Sequence, residues 1–254
     1  MLMIIAPSKT QELTATLPVS VSQPALLNDT VLLIQELRKM SPPELGSLMK
    51  MSGRLADETA LRIGSFTLPF TKENSACAIS VFQGDVYSRI KVDRYGEDDL
   101  LYMQDHLRIL SGLYGVLRPL DLMQRYRLEM GCRLPNTRGK NLYDFWGNKV
   151  TEELNNTLSK QEDAVVVNLA SAEYSRVLKK KTLHGSMLDV DFKERKGDGY
   201  RTVAIHAKRA RGMMVDFAVR SRVVNVLQLK EFQDESYRFR PDLSKEDRYC
   251  FTRE

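Results

Sequence analysis

Residues 163–170 read Asp-Ala-Val-Val-Val-Asn-Leu-Ala, and this run narrows the possible folds more than any other segment. Successive side chains of a strand point to opposite faces, so three consecutive valines need apolar cover on both. That is the setting of a central strand with helices packed on either side of its sheet. Residues 1–6, Met-Leu-Met-Ile-Ile-Ala, form a second continuous apolar run and read as another buried strand. Leu27, Val31, Ile34 and Leu37 recur at helical spacing and predict an amphipathic helix over 24–40. Ser41-Pro42-Pro43-Glu44 predicts the next helix start, with Ser41 as cap and Glu44 reaching back to it. A further helix is expected over 55–63 and a strand over 77–82. Residues 187–193 and 201–207 alternate apolar and polar, which predicts adjacent strands turning at 196–199. The tail, 231–254, alternates aromatic and charged residues and predicts one or two edge strands. The expected fold is therefore mixed α/β, or α+β: one compact domain over 1–254 with a mixed sheet and flanking helices.

A chain of 254 residues is long enough for a substantial core, and 43% hydrophobic with 28% charged residues is a globular balance. No apolar run approaches membrane-spanning length, and the first six residues lack the basic lead of a signal peptide. Cys77, Cys132 and Cys250 are far apart and form no CxxC pair, which points to a reducing cytoplasm. His106, His184 and His206 also lack metal-ligand spacing, so neither a metal nor a cofactor is expected. The net charge of +5 permits an acidic partner without requiring one. Its distribution says more: from 176 to 222 there are thirteen Lys or Arg against five Asp or Glu.

Residues 104–131 stand out for their paired glycines. A helix is expected from Glu97-Asp98-Asp99 through Leu100, Leu101, Met103, Leu107 and Leu110, stopping at Gly112. Leu113 and Tyr114 then cross a turn, Gly115 frees the backbone again, and Pro119 suits a new first turn. Two readings stand: a tight connection with no ligand, or a helix-hairpin-helix-like element over about 98–127. In the second, the Gly112–Gly115 backbone meets a nucleic-acid backbone, with Arg118, Arg125 and Arg127 alongside. Trp146 is expected in the core.

Three other clusters carry chemistry. Pro7-Ser8-Lys9-Thr10 follows the first strand, where sites in α/β proteins tend to lie; it is either an anion-holding turn or a surface one. Asn168, Ser171, Glu173 and Tyr174 sit where the valine strand gives way to a helix. Ser171 as cap and Glu173 in the first turn suffice structurally. The functional alternative makes Glu173 a general base and Asn168 its orienter. Lys208, Arg209 and Arg211 are expected in the first turn of a helix running to about 224. Cations are unfavourable at that positive end, so an anion partner would compensate them.

Five blocks then share one resemblance: APSKT at 6–10, GLYGVLRPLDLMQRYRLEMG at 112–131, LYDFWG at 142–147, VNLASAEY at 167–174 and KRARGMM at 208–214. In this order they resemble the YaaA family of peroxide-stress proteins, over nearly the whole chain. The first block departs mildly, with Ala6 where the family usually has serine and Ser8 where it usually has alanine. The hairpin has one residue more between its glycines than the usual pattern. The resemblance implies a cytoplasmic protein that limits iron-driven damage when peroxide rises, and that binds DNA through a basic cleft. The preferred expectation is thus a DNA-backbone binder rather than an enzyme, using Lys9, Gly112, Leu113, Tyr114, Gly115, Arg118, Arg125, Arg127, Lys208, Arg209 and Arg211. The alternative is an enzyme acting on a nucleotide or nucleic-acid base, its site joining Lys9, Asn168, Ser171, Glu173, Lys208 and Arg211. A second alternative is an iron-sequestering protein.

Overall fold

The computed structural model describes residues 1–13, 17 and 19–254. Strand β1 (Leu2–Ile5) leads to helices α1 (Leu27–Arg38), α2 (Pro42–Met49) and α3 (Gly53–Ser65). Next come β2 (Ala76–Cys77), α4 (Ala78–Val81), α5 (Glu97–His106), β3 (Leu107–Ser111), β4 (Gly115–Leu117) and β5 (Leu122–Met123). The chain continues through α6 (Leu142–Trp146), α7 (Lys149–Leu158), β6 (Val165–Asn168) and α8 (Ala172–Ser175). It ends with β7 (Ser186–Lys196), β8 (Gly199–Arg201), α9 (Ala204–Arg220), β9 (Arg238–Phe239) and β10 (Arg248–Arg253).

Eight strands form the main sheet in the order β4-β3-β1-β6-β7-β10-β9, with β8 hung on β7. Strands β3, β1, β6, β7 and β10 are parallel, while β4, β8 and β9 join antiparallel. The two apolar runs lie side by side, Met3 opposite Val167 and Ile4 opposite Asn168. Every residue of β1 is buried, as are Val166 and Val167, so both faces are covered as the unbroken apolar runs require. Trp146 is fully buried and donates Nε1–H to the Gly112 carbonyl at 3.0 Å. No helix among the described residues is long and apolar enough to cross a membrane.

Three expectations of secondary structure are corrected. The helix expected to run to Gly112 stops at His106, and Leu107 and Leu110 belong to β3. Met3 pairs with Leu107 and Ile5 with Ile109, so the ladder with β1 overrides the helical spacing. Of residues 77–82 only Cys77 is strand, the last residue of β2, before the helical turn of α4. Residues 204–207 open α9 rather than extending β8. The tail supplies an edge strand as predicted, β9, and one place inside it, parallel to β7, lies β10. Its Phe251 is fully buried, stacked on Phe192 and meeting Phe232 edge-on.

The stretch 98–127 is therefore helix, strand, turn and strand, not a helix-hairpin-helix. Gly112, Leu113, Tyr114 and Gly115 are all buried, so none of them presents backbone to an outside partner. The turn's polar groups are consumed internally. Tyr114 N–H donates to Ser111 Oγ at 2.9 Å, and the Leu113 carbonyl accepts from Thr30 Oγ1 at 3.1 Å. Glycine is required at 112 because a Cβ would stand 2.2 Å from the Leu128 carbonyl oxygen.

Candidate anion-binding cleft

Because β1 and β6 are parallel neighbours, their carboxyl ends release the chain at the same edge of the sheet. Strand β1 runs into Ala6-Pro7-Ser8-Lys9, and β6 into Leu169-Ala170-Ser171, which opens α8. Between these exits lies a cleft of about 380 Å3. The segment after β5 supplies Arg127 and Glu129, the loop after α4 supplies Gln83 and Asp85, and α9 supplies Lys208 and Arg211. Its floor is tied down by hydrogen bonds. Tyr87 OH donates to the Ala6 carbonyl at 2.9 Å. Gln11 joins two segments of the wall: Oε1 accepts the Tyr126 N–H at 2.8 Å, and Nε2 donates to the Ser8 carbonyl at 3.2 Å. Helix α9 is anchored through buried Asp216, which accepts from Lys91 N–H at 2.9 Å and Tyr95 OH at 2.7 Å.

The lining mixes charges. Lys9 Nζ is 2.6 Å from Glu129 Oε1, and Arg127 lies 3.7 Å from the same oxygen. Arg209 turns aside to Asp85, at 3.4 Å. Lys208 is exposed, and no carboxylate pairs with it or with Arg211 among the described residues. Burial pulls the Arg211 guanidinium below its ordinary value. Arg127 and Arg211 each keep a buried Nε without a protein partner. Those two groups are the clearest sign of a missing acceptor, because buried donors are normally satisfied. Arg125 lies outside the cleft, near Arg62, whose own guanidinium is lowered by burial and by the charges of Arg125 and Arg127.

Of the six residues expected to form one site, Lys9, Ser171, Glu173, Lys208 and Arg211 line this cleft. Asn168 does not. Its Nδ2 donates to Asp189 Oδ1 at 2.7 Å, and it lines a neighbouring groove that shares Arg211. Ser171 occupies the cap position of α8 without a capping side-chain bond. Arg118 is bound to Asp121, Nε to Oδ1 at 3.0 Å, and faces a different cavity. Lys208, Arg209 and Arg211 lie past the first turn of α9, which starts at Ala204, so the dipole penalty expected for them does not apply. Glu129 was not foreseen as part of the site, although the alternation of 126–130 hinted that it shares a face with its neighbour Arg127.

The cysteines do not suit peroxide chemistry. Burial, with the charges of Glu129 and Glu173, pushes the Cys132 thiol up to about 11. Burial raises Cys77 and Cys250 as well. Protonated thiols are poor nucleophiles, so thiolate attack on peroxide is not what these residues support. Among the described residues no three His, Cys, Asp or Glu side chains gather as a metal ion would require.

The fold and cleft define an α/β protein with a cation-rich site at the carboxyl ends of its parallel strands. Its sequence relatives are consistent over the full length. The family model described as peroxide stress protein YaaA matches residues 1–243, and the chain belongs to that family. It is 46% identical over 253 residues to a UPF0246 protein of Acaryochloris marina, covering 100% of both chains. It is 44% identical over 254 residues to a UPF0246 protein of Colwellia psychrerythraea, covering 100% of this chain and 99% of the other.

Proposed function

We propose that this peroxide stress protein binds DNA phosphates in the cleft, through Lys9, Arg127, Lys208 and Arg211. The observation that carries the reading is the pair of unpartnered buried Nε–H groups of Arg127 and Arg211 at one site. Phosphate oxygens are strong acceptors for such donors, and guanidinium groups suit them in shape. Contacts of this kind carry no base information, so binding is independent of sequence. DNA held this way is shielded from the iron-generated oxidants that follow peroxide. The Gly112–Gly115 turn is buried and Arg118, Arg125 and Arg209 do not line the cleft, so they drop out of the contact set. Fluorescence anisotropy with two unrelated duplexes over a salt series tests the reading. Four neutralised phosphates give a log–log slope of roughly −3.6, the same for both sequences. Absence of binding at low salt, or a slope near zero, defeats it.

A second reading is favoured by Glu173. Its exposed carboxylate belongs to the same lining as Lys208 and Arg211 and is held by the Gly131 N–H at 2.9 Å. A fixed carboxylate in a cleft that also holds cations suits a general base acting on a nucleotide or nucleic-acid base. In that case Glu173→Gln abolishes peroxide protection in cells while leaving folding and duplex affinity nearly intact. Full protection by the variant rules the enzyme out.

A further inference from the structure

The opposite pole of the sheet holds a larger cavity, of about 870 Å3. It lies where the chain enters β1 and approaches β6, against Met1 and Asp163, beside the last turns of α5 and α7. Arg108 of β3 lines it and is only 5% exposed. Its NH1 donates to the carbonyls of Gln104 and Leu107, each at 2.7 Å, and its NH2 donates to Thr157 Oγ1 at 2.9 Å. All three acceptors are neutral. Nε has no partner, and no carboxylate pairs with this guanidinium among the described residues. The nearby acid Asp121 is already taken by Arg118 at 2.9 Å. Burial and the Arg118 charge lower the Arg108 guanidinium to about 10, so it remains charged at neutral pH.

A buried cation with no counter-charge is unfavourable unless something compensates it. Three neutral dipoles and the more distant charges of Asp121, Glu153 and Asp105 do so in part, and the adjoining cavity is where a directly paired charge would complete it. We infer that this cavity is a second binding site, for a small ligand carrying one phosphate or carboxylate group that pairs with Arg108. Asp105, Glu153, Glu162 and Asp163 also line the cavity and repel a polyanion, so duplex DNA is not its ligand. The same acids favour a ligand whose other end bears an amine or another donor. The site lies across the sheet from the DNA cleft and is independent of it.

Isothermal titration with inorganic phosphate at low ionic strength tests this, using full-length protein with Lys9→Ala and Lys208→Ala to weaken the other cleft. One saturable site is expected. Thr157→Asp on that background supplies an internal carboxylate beside Arg108. Phosphate affinity then falls about tenfold or more, as expected for loss of a charge-assisted contact, while the melting temperature does not fall. Arg108→Gln, where it folds, removes binding altogether. The inference is overturned by absence of saturable binding at millimolar phosphate, or by equal affinity in Thr157→Asp and its parent.

Discussion

The Gly131 N–H donates to Glu173 Oε1 at 2.9 Å, and a Cβ at position 131 would stand 3.1 Å from that same oxygen. The bond crosses from the segment after β5 to the first turn of α8 and fixes a negative charge at the mouth of a cationic cleft. Glu173 is exposed, so its neutralisation should cost little stability, within about 0.5 kcal/mol. If phosphates occupy the cleft, Glu173→Gln removes a repulsion and tightens duplex binding at low salt by about two- to fivefold. Anisotropy at matched salt, with chemical denaturation as the folding control, reads both effects. Weaker binding by the variant would contradict phosphate occupancy beside this carboxylate.

The cations make a sharper comparison. Lys208→Ala with Arg211→Gln should flatten the log–log salt slope by roughly two units and weaken binding to all duplexes alike. Arg118→Ala should leave the slope unchanged, because Arg118 lies in the other cavity and is paired with Asp121. A slope that responds to Arg118 and not to the pair on α9 would move the DNA surface to the opposite pole.

Gly112→Ala probes folding rather than binding. Its Cβ would meet the Leu128 carbonyl oxygen at 2.2 Å, and backbone cannot swing aside as a side-chain tip can. We expect a loss of about 3 kcal/mol or more in urea or guanidinium denaturation. Gly115→Val should also act through folding, because Gly115 has φ +70° and a Cβ there would stand 2.9 Å from the Trp146 ring. Normal stability with lost DNA binding in either variant would restore the turn as a contact surface.

Glu194 sets part of the acid limit of stability. Burial alone would raise its carboxyl, but the hydrogen bonds and charge of Arg253 and the Tyr237 hydroxyl outweigh it, and the net shift is downward. A carboxyl lowered in the folded state contributes stability above its unfolded value of about 4.3 and loses it as pH falls through the folded value. Melting temperatures from pH 7 to pH 3 should therefore drop less steeply in Glu194→Gln, from a lower starting point at pH 7. Parallel curves for the two proteins would show that Glu194 carries no such linkage.

Unbroken apolar runs were enough to place β1 and β6 at the sheet centre, since a strand without a polar face has nowhere else to go. Helices α1, α2 and α3 were legible for a similar local reason: periodicity, and Ser41 with Glu44, reside within a few residues. The peroxide-stress family was legible too, because five separated blocks keep their order. Long-range partners were not. Leu107 and Leu110 have helical spacing, and only pairing with β1 makes them strand. The glycines at 112 and 115 look like an exposed hairpin until the 128–129 backbone and Trp146 are laid over them. Lys9 and Glu173 each had a bland local explanation, and Lys208 with Arg211 called only for some anion. The parallel pairing of β1 with β6 and the seating of α9 brought them to one cleft, and the pairing of β3 with β1 left Arg108 buried at the other pole with no carboxylate in contact among the described residues. Local chemistry decides an element's type where its own residues suffice, whereas convergence of charges depends on which distant segments the sheet makes neighbours.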